Sequence, residues 1–128
     1  MRVLKTKNFA RWARKERLDD RSLVNAVGEI RRGLVDAQLG GGLVKKRVAR
    51  SGSGKSGGFR TLLASNLHDR FVFLFGFAKN ERDNVDDDEL ADLKRIARGY
   101  LTMSDESLHR ALGTGMLQEI DDGETQAS

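Results

Sequence analysis

LVKKRVARSGSGKSGGFR, residues 43–60, carries six lysines or arginines and no acid on two strand-like runs joined by a glycine-rich loop. From Gly40 onward the apolar period is two, so Val44 and Val48 share a face with Lys46 while Lys45 and Arg47 project from the other. Residues 59–65 and 70–79 continue the pattern as two further strands, and the short turn between them, with Asn66, His68 and Asp69, makes them a hairpin. The run RFVFLFGFA at 70–78 is apolar on both faces, as expected of a central strand covered on both sides, and its row Phe71, Phe73, Phe75 and Phe77 reads as core rather than as a stacking platform.

Outward from this sheet the period changes to that of helices. A short strand over residues 3–6 precedes a helix that Asn8 can cap, with Phe9, Trp12 and Ala13 on its apolar side. A second helix starts near Asp19 or Asp20, repeats Leu23, Val27 and Ile30, and stops near Gly33 behind Arg31 and Arg32. Beyond the sheet, the acids at 86–89 suit a helix N-terminus, and Leu90, Leu93, Ile96, Ala97 and Leu101 supply its apolar stripe. Consecutive helical residues diverge, so these acids read as caps and not as a metal site. Ser104 caps a last helix with Leu108 and Leu112. The expectation is one domain of helices and strands over residues 1–113 with a polar, flexible tail over 114–128.

Charge is sorted along the chain: residues 1–60 hold 16 basic and 5 acidic side chains, and 61–128 hold 7 and 14. Such asymmetry points to an anion-binding first half and a solvated acidic second half. An ordinary solvated helix accounts for Arg11, Arg14, Lys15 and Arg17, whereas the cluster from Lys45 to Arg60 asks for a polyanion, since each neutralised phosphate releases condensed counterions. The absence of cysteine removes disulfides, zinc thiolates and thiol nucleophiles. Charges interrupt every apolar stretch near the N-terminus, so no membrane partner is expected and a cytoplasmic location is.

GSGKSG at 52–57 imitates a nucleotide-triphosphate loop but fails the pattern, because position 49 is Ala49 where glycine is required and the run leads into alternating FRTLLAS instead of a helix. Triphosphate is therefore not expected as a ligand, and neither is any cofactor or metal. His68 sits in a turn and His109 in a late polar helix, and no HExxH or Ser-His-Asp order is visible. RNA brings its own nucleophile. Its 2′-hydroxyl can attack the adjacent phosphate if cations align the groups, accept and return a proton, and stabilise the added negative charge. Like-charge crowding makes a lysine a better proton carrier near neutrality, and arginine forks onto phosphate oxygens.

Taken in order, the KxRVA pattern at 45–49, GKxGGxR at 54–60, RFVFLFGFAKNER at 70–82 and the acid-capped helix resemble the RelE/ParE toxin superfamily of bacterial type II toxin-antitoxin modules, specifically its HigB-like branch, over residues 3–102. The resemblance implies an α/β (α+β) RelE-like fold, N-terminal helices packed on a small antiparallel sheet with C-terminal helices, and ribosome-dependent cleavage of messenger RNA without a metal. It also implies a cognate helix-turn-helix antitoxin protein as partner. By position it implies Lys45, Arg47, Arg60 and Lys79 as catalytic residues, Lys45 or Lys79 carrying the proton and Arg47 and Arg60 stabilising the transition state. Lys46, Arg50, Lys55 and Arg82 are the expected RNA or ribosome contacts. Asn80 and Asp86 stand where some members place arginine and tyrosine. The superfamily also contains gyrase poisons, so a non-catalytic inhibitor of gyrase or another protein, or an inactive nucleic-acid-binding relative, is the alternative.

Overall fold

The structure, a computed structural model, describes residues 1–50, 54–79, 81–82 and 84–120; the side chains of residues 50 and 54–57 fall outside that description. The described elements run β1 (Arg2–Thr6), α1 (Lys7–Lys15), α2 (Asp20–Arg31), β2 (Ala37–Gly40), β3 (Leu43–Arg50), β4 (Gly54–Ser65), β5 (Arg70–Ala78), α3 (Asp87–Thr102), α4 (Asp105–Thr114) and β6 (Leu117–Glu119). The strands form one sheet in the order β2-β3-β4-β5-β1-β6. Neighbours are antiparallel except β1 and β5, which run parallel. That parallel pair needs a crossover, and the long excursion through α1, α2 and the hairpins supplies it.

Each strand's alternation feeds two cores. On one side Phe9, Ala13, Leu23, Val27 and Ile30 from α1 and α2 pack on Val44, Val48, Phe59, Leu63, Phe71 and Phe73. On the other, Leu93 and Ala97 of α3 and Leu108 of α4 pack on Leu43, Leu62, Ala64 and Val72. Trp12 is a core residue as its spacing predicts: its ring meets Phe59 edge-on at 5.3 Å and lies 5.4 Å from Phe9. It also covers Gly76 so closely that a Cβ there would sit 2.3 Å from the indole, which is why that position of β5 has no side chain.

Three expectations need correction. Thr6, not Asn8, caps α1: its Oγ1 accepts the Phe9 N–H at 3.1 Å because β1 delivers it in an extended conformation directly before the helix. The phenylalanine row of β5 is split. Leu62 pairs with Phe75 and the next residue, Leu63, with Phe73, so one residue is inserted in β5 and the alternation shifts. Phe71 and Phe73 lie in the α1–α2 core, whereas Phe75 and Phe77 turn to the α3 side. The expected antiparallel sheet is present, with the β1–β5 pair as its one parallel neighbour pair among the described strands. The flexible tail does not begin at 114, since β6 pairs with β1 as a new sheet edge and Ile120 is buried against the α1–α2 core.

Candidate nucleic-acid interface

Cross-strand register builds the site. Lys45 stands opposite Leu62, and Leu62 opposite Phe75; one step on, Arg47 stands opposite Arg60, and Arg60 opposite Phe77. All six therefore belong to the α3 side of the sheet, in two adjacent rows across β3, β4 and β5. Directly opposed residues hold their Cβ atoms about 4.5–5.5 Å apart, and like charges in that relation repel. Yet among the described residues neither the exposed Arg47 guanidinium nor the half-buried Arg60 has a hydrogen-bond or ion-pair partner. Two unneutralised cations side by side on a sheet floor are a ready anion seat.

The backbone under this seat is fixed from the opposite edge. The Arg47 N–H donates to the Asp36 carboxylate and the Asp36 N–H donates to the Lys45 carbonyl at 3.0 Å, so the residue leading into β2 clamps the basic stretch without neutralising its guanidinium. The segment after β5 closes the other side. Lys45 Nζ donates to Asn84 Oδ1 at 3.1 Å, and the Arg82 guanidinium lies over the rings of Phe75 and Phe77, 5.9 and 5.6 Å from their centroids. Arg82 forks onto Glu89, and those hydrogen bonds hold the Glu89 carboxyl below its ordinary value and the guanidinium above its own. Glu89 also completes the capping box with Asp86 at the start of α3, so the segment that borders the site is tied to a helix terminus.

The residues singled out from sequence separate accordingly. Lys45, Arg47 and Arg60 are brought together. Lys79 is exposed one residue past Ala78, whose partner in the ladder is Phe59, and so lies at the Arg60 end of the sheet. Arg82 borders the same face but is committed to Glu89 and the two phenylalanines. Lys46 is a correction: it projects into the α1–α2 side, is buried, donates to the Leu34 carbonyl at 2.8 Å and pairs with Glu29 at 2.9 Å. It ties β3 to the end of α2 and presents nothing to a ligand. The side chains of Arg50 and Lys55, and Asn80, lie outside the described residues. Asp86 is occupied as the α3 cap. Asn84, Asp36 and the Phe75–Phe77 floor were not found from sequence; the bulge that turns these rings to the α3 side and the long-range contacts of Asn84 and Asp36 leave no local pattern.

The acids at 86–89 do cap a helix, and among the described residues no three His, Cys, Asp or Glu cluster as a metal site would require. Glycines 57 and 58 lead along β4 and not into a helix, so the lysine-glycine loop lacks the helix dipole that a triphosphate loop uses. No described helix is long and apolar enough to cross a membrane. A cavity of about 560 Å³ lies elsewhere, between α3 and α4, lined by Ile96, Tyr100, Met103, Ala111 and Met116, and it contains none of the sheet cations.

No curated protein sequence matches the chain. The family profile described as the RelE toxin of the RelE/RelB toxin-antitoxin system matches residues 1–120, a span that takes in β6 and all of the sheet. With that match and this α+β architecture, the chain belongs to the RelE toxin family and is the toxin of a toxin-antitoxin system, which gives it an antitoxin as partner.

Proposed function

We propose that this toxin is a metal-independent endoribonuclease of the cytoplasm that cuts messenger RNA on the ribosome and thereby stops translation. The observation that supports the reading is the directly opposed pair Arg47 and Arg60 on the sheet face, neither of which has an ion-pair partner among the described residues. A scissile phosphate seated there would relieve their repulsion and place its non-bridging oxygens against two guanidinium forks. The RNA 2′-hydroxyl attacks phosphorus, the bond to the 5′-oxygen breaks, and the products are a 2′,3′-cyclic phosphate and a free 5′-hydroxyl. Lys45 or Lys79 takes the 2′-proton and the other returns one to the departing oxygen, while Arg47 and Arg60 hold the charge that accumulates on phosphorus. The route needs no metal because nucleophile and charge stabilisation are already supplied. The half-buried Phe75 beside this row offers an aromatic edge for a neighbouring base. The KxRVA and GKxGGxR motifs support placement in the HigB-like branch.

The test is cleavage on programmed ribosomes with purified protein. Cuts within the message ending in 2′,3′-cyclic phosphate are expected from the wild type, and Arg60→Ala should abolish them without changing the melting temperature. Intact message together with inhibited gyrase supercoiling would replace this reading with that of a gyrase poison.

A further inference from the structure

α1, α2 and the turns that directly follow them carry Arg11, Arg14, Lys15, Arg17, Arg21, Arg31 and Arg32, all exposed. From sequence Arg11, Arg14, Lys15 and Arg17 look like an ordinary solvated helix surface, and such a surface would normally interleave its cations with acids. Here the acids of the same helices are used elsewhere. Asp20 pairs inward with the sheet residue Lys5 at 2.7 Å, Glu29 pairs inward with Lys46 at 2.9 Å, and Asp19 caps α2 by accepting the Ser22 N–H at 2.9 Å. Glu16, the remaining acid, is half-buried and has a partner of its own. Among the described residues none of the seven cations makes an ion pair.

Helical geometry puts Arg11, Arg14, Lys15, Arg21 and Arg32 on one side of the molecule. Phe9, Ala10 and Ala13 face the sheet, so Arg11, Arg14 and Lys15, at i, i+3 and i+4, form a stripe on the far side of α1. In α2 the buried set Leu23, Ala26, Val27 and Ile30 leaves Arg21, Asn25, Gly28 and Arg32 as the outward stripe, about 16 Å long at 1.5 Å per residue. Both helices pack on the sheet face opposite the one that holds Arg47 and Arg60. The plane is therefore separate from the cleft.

We propose that this α1–α2 plane is a second nucleic-acid surface that grips the phosphate backbone of double-helical RNA, independently of the single strand seated in the cleft. A duplex suits it because a flat stripe of cations can match phosphates along a helix without reading bases. An acidic protein suits it less, since protein interfaces centre on apolar or aromatic anchors. Of the large exposed apolar residues described, Leu34 alone follows these helices, at the end of α2. An anionic bilayer suits it less for the same reason: an interfacial helix needs an apolar face to insert, and here that face is spent on the core.

The experiment is binding of the full chain to a fluorescent 2′-O-methylated RNA duplex of about 16 base pairs, the length that double-strand readers span, over a series of salt concentrations. The methylated duplex cannot be cut, so the result is independent of cleavage in the cleft. With Arg11→Gln, Arg14→Gln, Arg21→Gln and Arg32→Gln combined, the slope of log affinity against log salt should become shallower by roughly three to four. Affinity should fall at least tenfold with the melting temperature retained, and Arg47→Gln with Arg60→Gln should leave duplex binding intact. If the fourfold variant misfolds, the two pairs made separately should each remove about half of the slope. Unchanged binding by the helix variants would overturn the proposal, as would loss of duplex binding in the cleft variant. So would equally tight, equally Arg-dependent binding to a polyglutamate peptide or to phosphatidylserine vesicles.

Discussion

Lys46 and its neighbours Lys45 and Arg47 differ in surroundings far more than in chemistry. On the α1–α2 side of β3 the ammonium group of Lys46 is buried, hydrogen-bonded to Leu34 and paired with Glu29. On the α3 side Lys45 meets the neutral Asn84 oxygen, and Arg47 faces Arg60 with no ion-pair partner for either among the described residues. A basic run is therefore two populations. One holds the fold together and the other has no acid partner among the described residues, and the sheet's alternation decides which residue joins which.

Substitutions on the two sides should separate function from stability. The largest effect is expected for Arg47→Ala: cleavage on programmed ribosomes should slow by about 10²–10³, the typical loss for one donor to a developing oxyanion. The same change should leave the denaturation midpoint within about 0.5 kcal/mol of wild type or raise it slightly, because a repulsive pair is removed. Next comes Lys46→Met, where the relation inverts. Urea denaturation should show a loss of about 1–3 kcal/mol, since the Leu34 carbonyl loses its donor and the β3–α2 tie is cut, while the folded fraction retains its cleavage rate. A Lys46→Met protein that is fully stable but inactive would return Lys46 to the ligand side and break the comparison.

The smallest effect belongs to the segment that borders the site. Because hydrogen bonds from Arg82 and the Asp86 backbone hold the folded Glu89 carboxyl below its ordinary value, its contribution is present above the unfolded glutamate value and is lost as pH falls through the depressed one. Glu89→Gln should flatten that acid limb in a pH series of thermal melts and leave neutral pH nearly unchanged. An identical acid limb in the variant would mean that the Arg82–Glu89 tie does not anchor the segment.

Much of this was legible in the sequence, for physical reasons that also explain the gaps. Alternation placed Lys46 with Val44 and Val48 and so already turned it inward, yet its chemistry suggested an RNA contact; only the positions of Glu29 and Leu34 decide between the two. The α3 cap was readable because its determinants are local. The bulge opposite Leu62 and Leu63 was not, because an inserted residue in β5 has no composition signal, and it alone moves Phe75 and Phe77 beside the cations. β2 and β6, of four and three residues, are too short to show a period. The seven cations of α1 and α2 were visible individually, but that the neighbouring acids turn inward depends on Lys5 and Lys46, which lie in strands far along the chain or across the sheet.

The central claim is that Arg47 and Arg60 share one anion. Nitrogen-15 NMR of the arginine Nε–H groups, during titration with a short oligoribonucleotide made uncleavable by a 2′-deoxy sugar at the cut site, reads this directly. The Arg47 and Arg60 signals should shift together along one binding curve, and Arg60→Ala should weaken the curve seen at Arg47. Signals that stay in place while the RNA binds, or that follow two unrelated curves, would contradict that claim.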